Sequence, residues 1–225
     1  TAGADPTETG LGNYRGVVIG QFAPVNSFGE IICDFGAAGV WLYGNSTWEQ
    51  LSGVNPDWII AASFGDTSDQ ELIGDFGAAG LWLWDYNGYP GDWTMLSGLN
   101  ASWAFAVDDD GDHRDEIYAN FGAMGIWQYD HDGPVWRQAS GLNAYHGLKM
   151  DTYDWGMAEG CLMFTTYGLW RIYTSGIYFY ATQLSGTVTA EDDHASAAFT
   201  GGLAEDLVVD YAGLGLWLLT NQSHT

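Results

Sequence analysis

The sequence predicts an all-β fold, a five-bladed β-propeller of four-stranded antiparallel blades. Three observations predict it: a repeat with a mean period of 44 residues, 32 glycines among 225 residues, and an aromatic content of 16%. Abundant glycine and aromatic residues suit many short strands joined by tight turns. Symmetric all-β folds of this length commonly form one domain, so residues 1–225 are expected to be a single propeller domain.

The repeat is anchored by one tryptophan in each copy. Residues 34–41, 75–82, 120–127 and 210–217 follow the template Asp-Phe-Gly-Ala-x-Gly-aliphatic-Trp, and residues 167–170 are a shortened fifth copy. The anchoring residues recur at spacings of 41, 45, 43 and 47 residues and are Trp41, Trp82, Trp127, Trp170 and Trp217. This period lies in the range of four-stranded propeller blades.

Each repeat unit reads as four strands. In the second unit, apolar segments separated by turn residues predict strands at 58–63, 71–76, 81–84 and 93–96. Gly77 and Gly80 allow the positive φ values of a tight hairpin between the second and third of these strands. The last unit stops after its third strand, so residues 5–10 are expected to supply the missing one and close the ring. Pairing of this segment with a neighbouring molecule is the alternative.

Charge and hydropathy exclude two classes of partner. The 29 acidic and 5 basic residues give a net charge of -24, which repels nucleic acids and anionic membrane surfaces. Apolar segments fall well short of the roughly 18 residues of a membrane span, so membrane insertion is not expected. The same charge attracts cations such as calcium.

A metal-binding loop is the strongest local chemical signal. Residues 108–116 match Asp-x-Asp-Gly-Asp-x-x-x-Glu, in which alternating carboxylates, a backbone carbonyl and a final acid can converge on one hard cation. The sequence therefore predicts one structural Ca²⁺, and an acidic turn without an ion is the alternative. The predicted ligands are the side chains of Asp108, Asp110, Asp112 and Glu116 and the carbonyl of Arg114.

This loop, followed by a strand, Phe-Gly and Gly-Ile-Trp, resembles the FG-GAP or VCBS repeats of integrin α-subunit propellers and many secreted bacterial proteins. The repeat covers nearly the whole chain, but only the third unit carries the cation loop intact. The resemblance implies an extracellular or cell-surface β-propeller used for adhesion or ligand binding. It does not specify a ligand, because members of the family differ in function.

The predicted ligand-binding residues are aromatic. Trp48, Trp93 and Trp136 lie near outer strands and are candidate platforms for sugar rings, although packing between blades is the alternative. Motifs of serine hydrolases, zinc proteases and dithiol redox enzymes are absent from the sequence. We therefore expect a non-enzymatic, multivalent binding module whose partner is a glycan or a cell-surface protein. A self-associating structural subunit of a sheath or filament is the second hypothesis, and a polysaccharide hydrolase or lyase is the third.

Overall fold

The structure, a computed structural model, describes residues 16–22, 29–64, 69–86, 91–131, 133–150, 158–175, 178–186, 193–197, 206–211 and 215–219. Within these residues the strands form five antiparallel sheets, four of four strands and one of three. The prediction of an all-β fold with four-stranded antiparallel sheets is therefore confirmed. The predicted closing strand, at residues 5–10, lies outside the described residues.

The chain divides into two compact units, the first comprising Thr1–Ala61 and Thr67–Asn100. Within each sheet, neighbouring strands follow one another in the chain. Sheet 1 contains β1 (Val17–Gly20), β2 (Glu30–Asp34), β3 (Val40–Gly44) and β4 (Thr47–Ser52). Sheet 2 contains β5 (Trp58–Ala62), β6 (Glu71–Asp75), β7 (Leu81–Asp85) and β8 (Asp92–Ser97), close to the four strands predicted for this repeat.

The second unit comprises Ala62–Asp66 and Ala101–Thr225. Sheet 3 contains β9 (Ala104–Val107), β10 (Glu116–Asn120), β11 (Ile126–Asp130) and β12 (Val135–Ser140). Sheet 4 contains β13 (His146–Met150), β14 (Glu159–Phe164), β15 (Gly168–Ser175) and β16 (Tyr178–Ser185). Sheet 5 contains β17 (Asp193–Ala197), β18 (Asp206–Tyr211) and β19 (Gly215–Leu219).

Burial differs between the strands of a sheet in a regular way. All residues of β6, β10 and β14 are buried, which explains why the residues after the first glutamate of each strand show no alternation of apolar and exposed polar positions. The outer strands β4, β8 and β12 carry exposed and half-buried residues instead. Within unit 1 the core joins sheets 1 and 2, and within unit 2 it joins sheet 3 to sheet 4 and sheet 4 to sheet 5.

In sheets 1, 2 and 3 the repeated motif folds as a 3₁₀ turn between the second and third strands. In sheet 2, Oδ1 of Asp75 accepts a hydrogen bond from the Gly77 backbone N–H at 2.7 Å, and Nε1 of Trp82 donates to the Ala79 carbonyl at 2.8 Å. Gly80 has a φ of +83°, and a Cβ atom there would lie 2.1 Å from the Ser97 carbonyl oxygen. The Asp, Gly and Trp of the motif thus each satisfy a requirement of this turn.

Each of the four complete sheets also has a β-bulge opposite the start of its third strand. In sheet 1, Val40 pairs with Ser52 and Trp41 pairs with Gln50, so Leu51 is the extra residue. Ala139 occupies the same position in sheet 3, between the partners of Ile126 and Trp127. A bulge leaves its extra residue outside the ladder, where its backbone is available to a neighbouring sheet.

Both cysteines are free thiols. Cys161 is fully buried in the core between sheets 4 and 5, and burial raises the pKa of its thiol. Cys33 is partly buried in β2, and burial raises its pKa as well. Among the described residues, no helix has the length and apolar character needed to cross a membrane.

Candidate functional site

The acidic loop of residues 108–115 joins β9 to β10 and is held by short-range hydrogen bonds. Oδ1 of Asp108 accepts the Gly111 N–H at 2.7 Å, and its Oδ2 accepts the His113 N–H at 3.0 Å. Gly111 and His113 have φ values of +83° and +75°. Two further Asp-to-backbone bonds, from the N–H groups of residues 112 and 114, tighten the same loop. The sequence folds locally into a turn in which short carboxylates satisfy backbone donors.

The loop is also fastened to two other segments of unit 2. The Asp115 N–H donates to the Ser63 carbonyl at 2.6 Å, and Oδ2 of Asp115 accepts the Ser63 N–H at 2.7 Å. On the other side, the Asp108 carbonyl accepts the Ala158 N–H at 2.7 Å. The loop therefore has a defined conformation that does not depend on its own residues alone.

Three of the five predicted calcium ligands come together. Carboxylate oxygens of Asp108, Asp110 and Glu116 all lie within 4.8 Å of one another. The side chain of Asp112 is not part of this group, and its Oδ1 instead accepts the Arg114 N–H at 2.8 Å. The structure thus brings Asp108, Asp110 and Glu116 together and leaves Asp112 exposed on the surface of the loop.

Electrostatics at this group favour a cation. Burial and the neighbouring Asp109 raise the pKa of Glu116 to about 10. Burial, followed by repulsion from the other loop carboxylates, raises the pKa of Asp110. Burial is the largest cause of both pKa shifts, and repulsion between neighbouring carboxylates adds to it. An all-oxygen donor set of this kind fits a hard divalent cation such as Ca²⁺.

Glu116 has a second role that is independent of any ion. Its Oε2 accepts the Asp109 backbone N–H at 3.0 Å, as the carboxylate of Glu30 accepts the Phe22 N–H at 2.7 Å in sheet 1. Buried glutamates also begin the second strands of sheets 2 and 4, as Glu71 and Glu159. In sheets 1 and 3 the recurring glutamate thus holds the backbone of the loop that precedes the second strand.

Asp109 is the residue of this loop that sequence reasoning missed. Its side chain is fully buried and accepts hydrogen bonds from the Tyr118 hydroxyl, from Nε2 of Gln128 at 3.2 Å and from the Thr174 hydroxyl at 2.8 Å. Because Thr174 lies on β15, this carboxylate joins sheet 3 to sheet 4. Asp109 lies two residues after β9, where Phe22 and Phe64 lie two residues after β1 and β5. This replacement of an aromatic residue by an acid was the sequence signal that Asp109 has a buried role.

The three candidate ligand-binding tryptophans lie in different environments. Trp93 is half-buried and packs against the core of unit 1, and its Nε1 donates to the Leu51 carbonyl at 2.9 Å. Trp136 is half-buried and packs edge-on against Phe121, with ring centroids 5.2 Å apart. Trp48 is 48% exposed. Packing thus accounts for Trp93, and Trp48 is the most accessible of the three.

Trp48 belongs to an exposed aromatic cluster on one face of sheet 1. Its ring lies 5.3 Å from Phe35 in an edge-on contact and 4.9 Å from Tyr43 in a tilted one. Phe35 is 52% exposed and Tyr43 is 36% exposed. We call Phe35, Tyr43 and Trp48 the aromatic face. Three adjoining exposed rings, inclined to one another, offer an apolar surface that also carries the phenolic hydroxyl of Tyr43.

Comparison with solved structures shows similarity to an Agrocybe aegerita lectin, described as specifically recognising non-reducing terminal N-acetylglucosamine. The TM-score is 0.63 at 17% identity, over 92% of this chain and 63% of that one. BBS1N, solved in complex with ARL6DN, gives a TM-score of 0.61 at 9% identity, over 90% of this chain and 64% of that one. The chain spans less than two thirds of either protein, and at these identities the likeness shows the fold alone.

No protein-family model and no curated protein matches the sequence.

Proposed function

We propose that this chain is a non-enzymatic, extracellular carbohydrate-binding module, a five-bladed β-propeller in which the five sheets are the blades. The observation that carries the proposal is the aromatic face, Phe35, Tyr43 and Trp48, whose rings are all at least 36% exposed. Large apolar side chains grouped on a surface mark binding sites more often than isolated ones do. The similarity to a lectin fold supports the same class of ligand.

Sugars suit this surface for a physical reason. One face of a pyranose presents C–H groups that pack on an aromatic ring, while its hydroxyls require hydrogen-bonding groups at the edge of the site. Trp48 supplies the largest ring of the aromatic face, and the hydroxyl of Tyr43 supplies an edge donor and acceptor. A protein of net charge -24 favours neutral or cationic glycans over sulfated or uronic ones.

A glycan array that includes terminal N-acetylglucosamine tests the proposal, followed by titration of the best binder. Trp48→Ala should lower its affinity at least about tenfold, since aromatic anchors dominate small binding sites. Val54→Ala is the matched control, because Val54 is also an exposed apolar side chain of unit 1 and lies outside the aromatic face. Binding that survives Trp48→Ala unchanged would remove the aromatic face from the proposal. An array without binders, together with ordered self-association on a sizing column, would favour the structural-subunit hypothesis.

We also propose that the acidic loop holds one structural calcium ion through Asp108, Asp110 and Glu116. A bound cation would neutralise three crowded carboxylates and lower the pKa of Glu116. Backbone carbonyls and water are the usual remaining ligands of such an ion. Its role would be to stabilise the β9–β10 loop, and the aromatic face lies in the other unit of the chain.

A further inference from the structure

A cavity of about 200 Å³ lies between sheets 3 and 4 of unit 2. Its walls are apolar and aromatic, and they include Leu142, Leu162, Phe164, Tyr167, Trp170 and Ala181. Tyr167 and Leu142, which are 50% and 42% exposed, place the cavity at the surface of the unit. None of the residues of the proposed glycan surface lines this cavity.

The repeat itself explains why the cavity is there. In each of sheets 1 to 3, one residue of the third strand lies two positions after the anchoring tryptophan. Its partner on the fourth strand is another tryptophan. The facing pairs are Tyr43 with Trp48, Trp84 with Trp93, and Tyr129 with Trp136. In sheet 4 the corresponding pair is Ile172 with Ala181. One indole of the repeat is therefore replaced by a methyl group.

Sheet 2 shows what that indole does when it is present. Trp93 packs edge-on against Phe76 with ring centroids 5.3 Å apart. Its Nε1 donates to the carbonyl of Leu51, the bulge residue of the preceding sheet. In sheet 4, Phe164 occupies the position of Phe76, and Ala139 occupies that of Leu51 in the preceding sheet. Both Phe164 and Ala139 line the cavity.

We propose that the cavity beside Ala181 is a binding site for a small planar aromatic ligand of indole size that carries a ring N–H donor. The Phe76 ring and the bulge carbonyl of Leu51, which contact the indole in sheet 2, have counterparts in Phe164 and Ala139, and the indole itself is missing. Apolar cavities of about 150 Å³ in protein interiors stay dry and bind benzene, so about 200 Å³ suits a larger, fused ring. The ring N–H is bound by the carbonyl of Ala139.

The site is distinct from the aromatic face, so it goes beyond the proposed carbohydrate-binding function. The aromatic face lies on sheet 1 in unit 1, whereas the cavity belongs to sheets 3 and 4 in unit 2. Stacking of flat rings on Tyr167 and Trp170 and exclusion of water from apolar walls supply the affinity. Sugar hydroxyls have few partners in such a lining, which disfavours a pyranose.

Free indole is the probe, with binding to the full chain measured by calorimetry and by ligand-observed NMR. We expect one indole per chain. Naphthalene-2-sulfonate, a fused ring without an N–H donor, should bind at least about tenfold more weakly, as expected for loss of a hydrogen bond and addition of negative charge. Ala181→Trp restores the repeat and should abolish binding while raising the melting temperature. Ala181→Ser keeps the cavity and should retain binding.

A second variant tests the internal analogy independently of the first. Trp93→Ala should open an equivalent groove in sheet 2, so that the stoichiometry rises to two and added indole restores part of the lost melting temperature. Trp48→Ala should leave indole binding unchanged, which separates this site from the glycan surface. Failure of indole to bind the wild-type chain would overturn the proposal. Equal binding by the wild type and a folded Ala181→Trp would do the same.

Discussion

Replacing Asp109 with alanine should destabilise the protein more than any other single change in the acidic loop. The substitution removes the acceptor of three buried donors, on Tyr118, Gln128 and Thr174. Each stranded donor costs about 1–3 kcal/mol. We expect a net loss of about 3–5 kcal/mol, or a fall in melting temperature of roughly 10 °C.

Urea unfolding followed by circular dichroism, in the presence of EDTA, measures this loss without a contribution from metal. The matched control is Asp112→Ala, an exposed acid of the same loop, which should change stability by less than about 0.5 kcal/mol. Thr174→Val should cost about 1 kcal/mol in the wild type and markedly less beside Asp109→Ala, because the two residues share one hydrogen bond. Equal stability of wild type and Asp109→Ala, or strict additivity in the double mutant, would refute the reasoning.

Three further outcomes are expected. Chelation of calcium should lower the melting temperature, because it removes roughly 2.7 kcal/mol of unfolding free energy that the ion supplies at a hundredfold excess over its Kd. Asp110→Ala should abolish this response, whereas Asp112→Ala should keep most of it. Thermal melts and metal content from mass spectrometry measure both outcomes. Gly80→Ala should cost more than about 3 kcal/mol because its Cβ meets a backbone carbonyl at positive φ, whereas Gly98→Ala, which meets nothing within 4 Å, should be tolerated in the same urea assay. Trp82→Phe should cost about 1 kcal/mol or more by loss of the bond from its Nε1 to the turn carbonyl, and an unchanged midpoint would show that this bond is dispensable.

Much of the fold could be predicted because the strands and turns of the repeat depend on residues that are close together in the sequence. The four strands of the second repeat follow from apolar segments between turn residues, and the hairpin follows from Gly77 and Gly80. The buried second strands could also be predicted, because a strand covered on both faces has apolar residues at successive positions instead of an alternating pattern. These features depend on near neighbours in the chain, which a sequence displays directly.

The candidate sites were harder to predict because they depend on contacts between sheets. Asp109 reads as one more acid in a metal loop, yet its partner Thr174 is 65 residues away. Trp93 and Trp48 occupy the same repeat position, and only the contacts of each sheet show that Trp93 is half-buried against the core whereas Trp48 is exposed. The cavity arises because Ala181 stands where sheets 1 to 3 have a tryptophan, and this correspondence is visible only once the register of β15 and β16 is known.

The single tryptophan-to-alanine difference between sheets 2 and 4 has a wider consequence for how such a chain can change. The residue lies on an outer strand, and the indole Nε1 bonds to the preceding sheet rather than to a strand of its own sheet, so loss of the indole leaves the ladder of its own sheet intact. One substitution at this position can therefore replace the tryptophan packing contact of one repeat with a surface recess, while the other repeats keep their tryptophan contacts. Repetition thus gives the molecule independent positions at which surface recesses arise one at a time, each beside a carbonyl already oriented by a β-bulge.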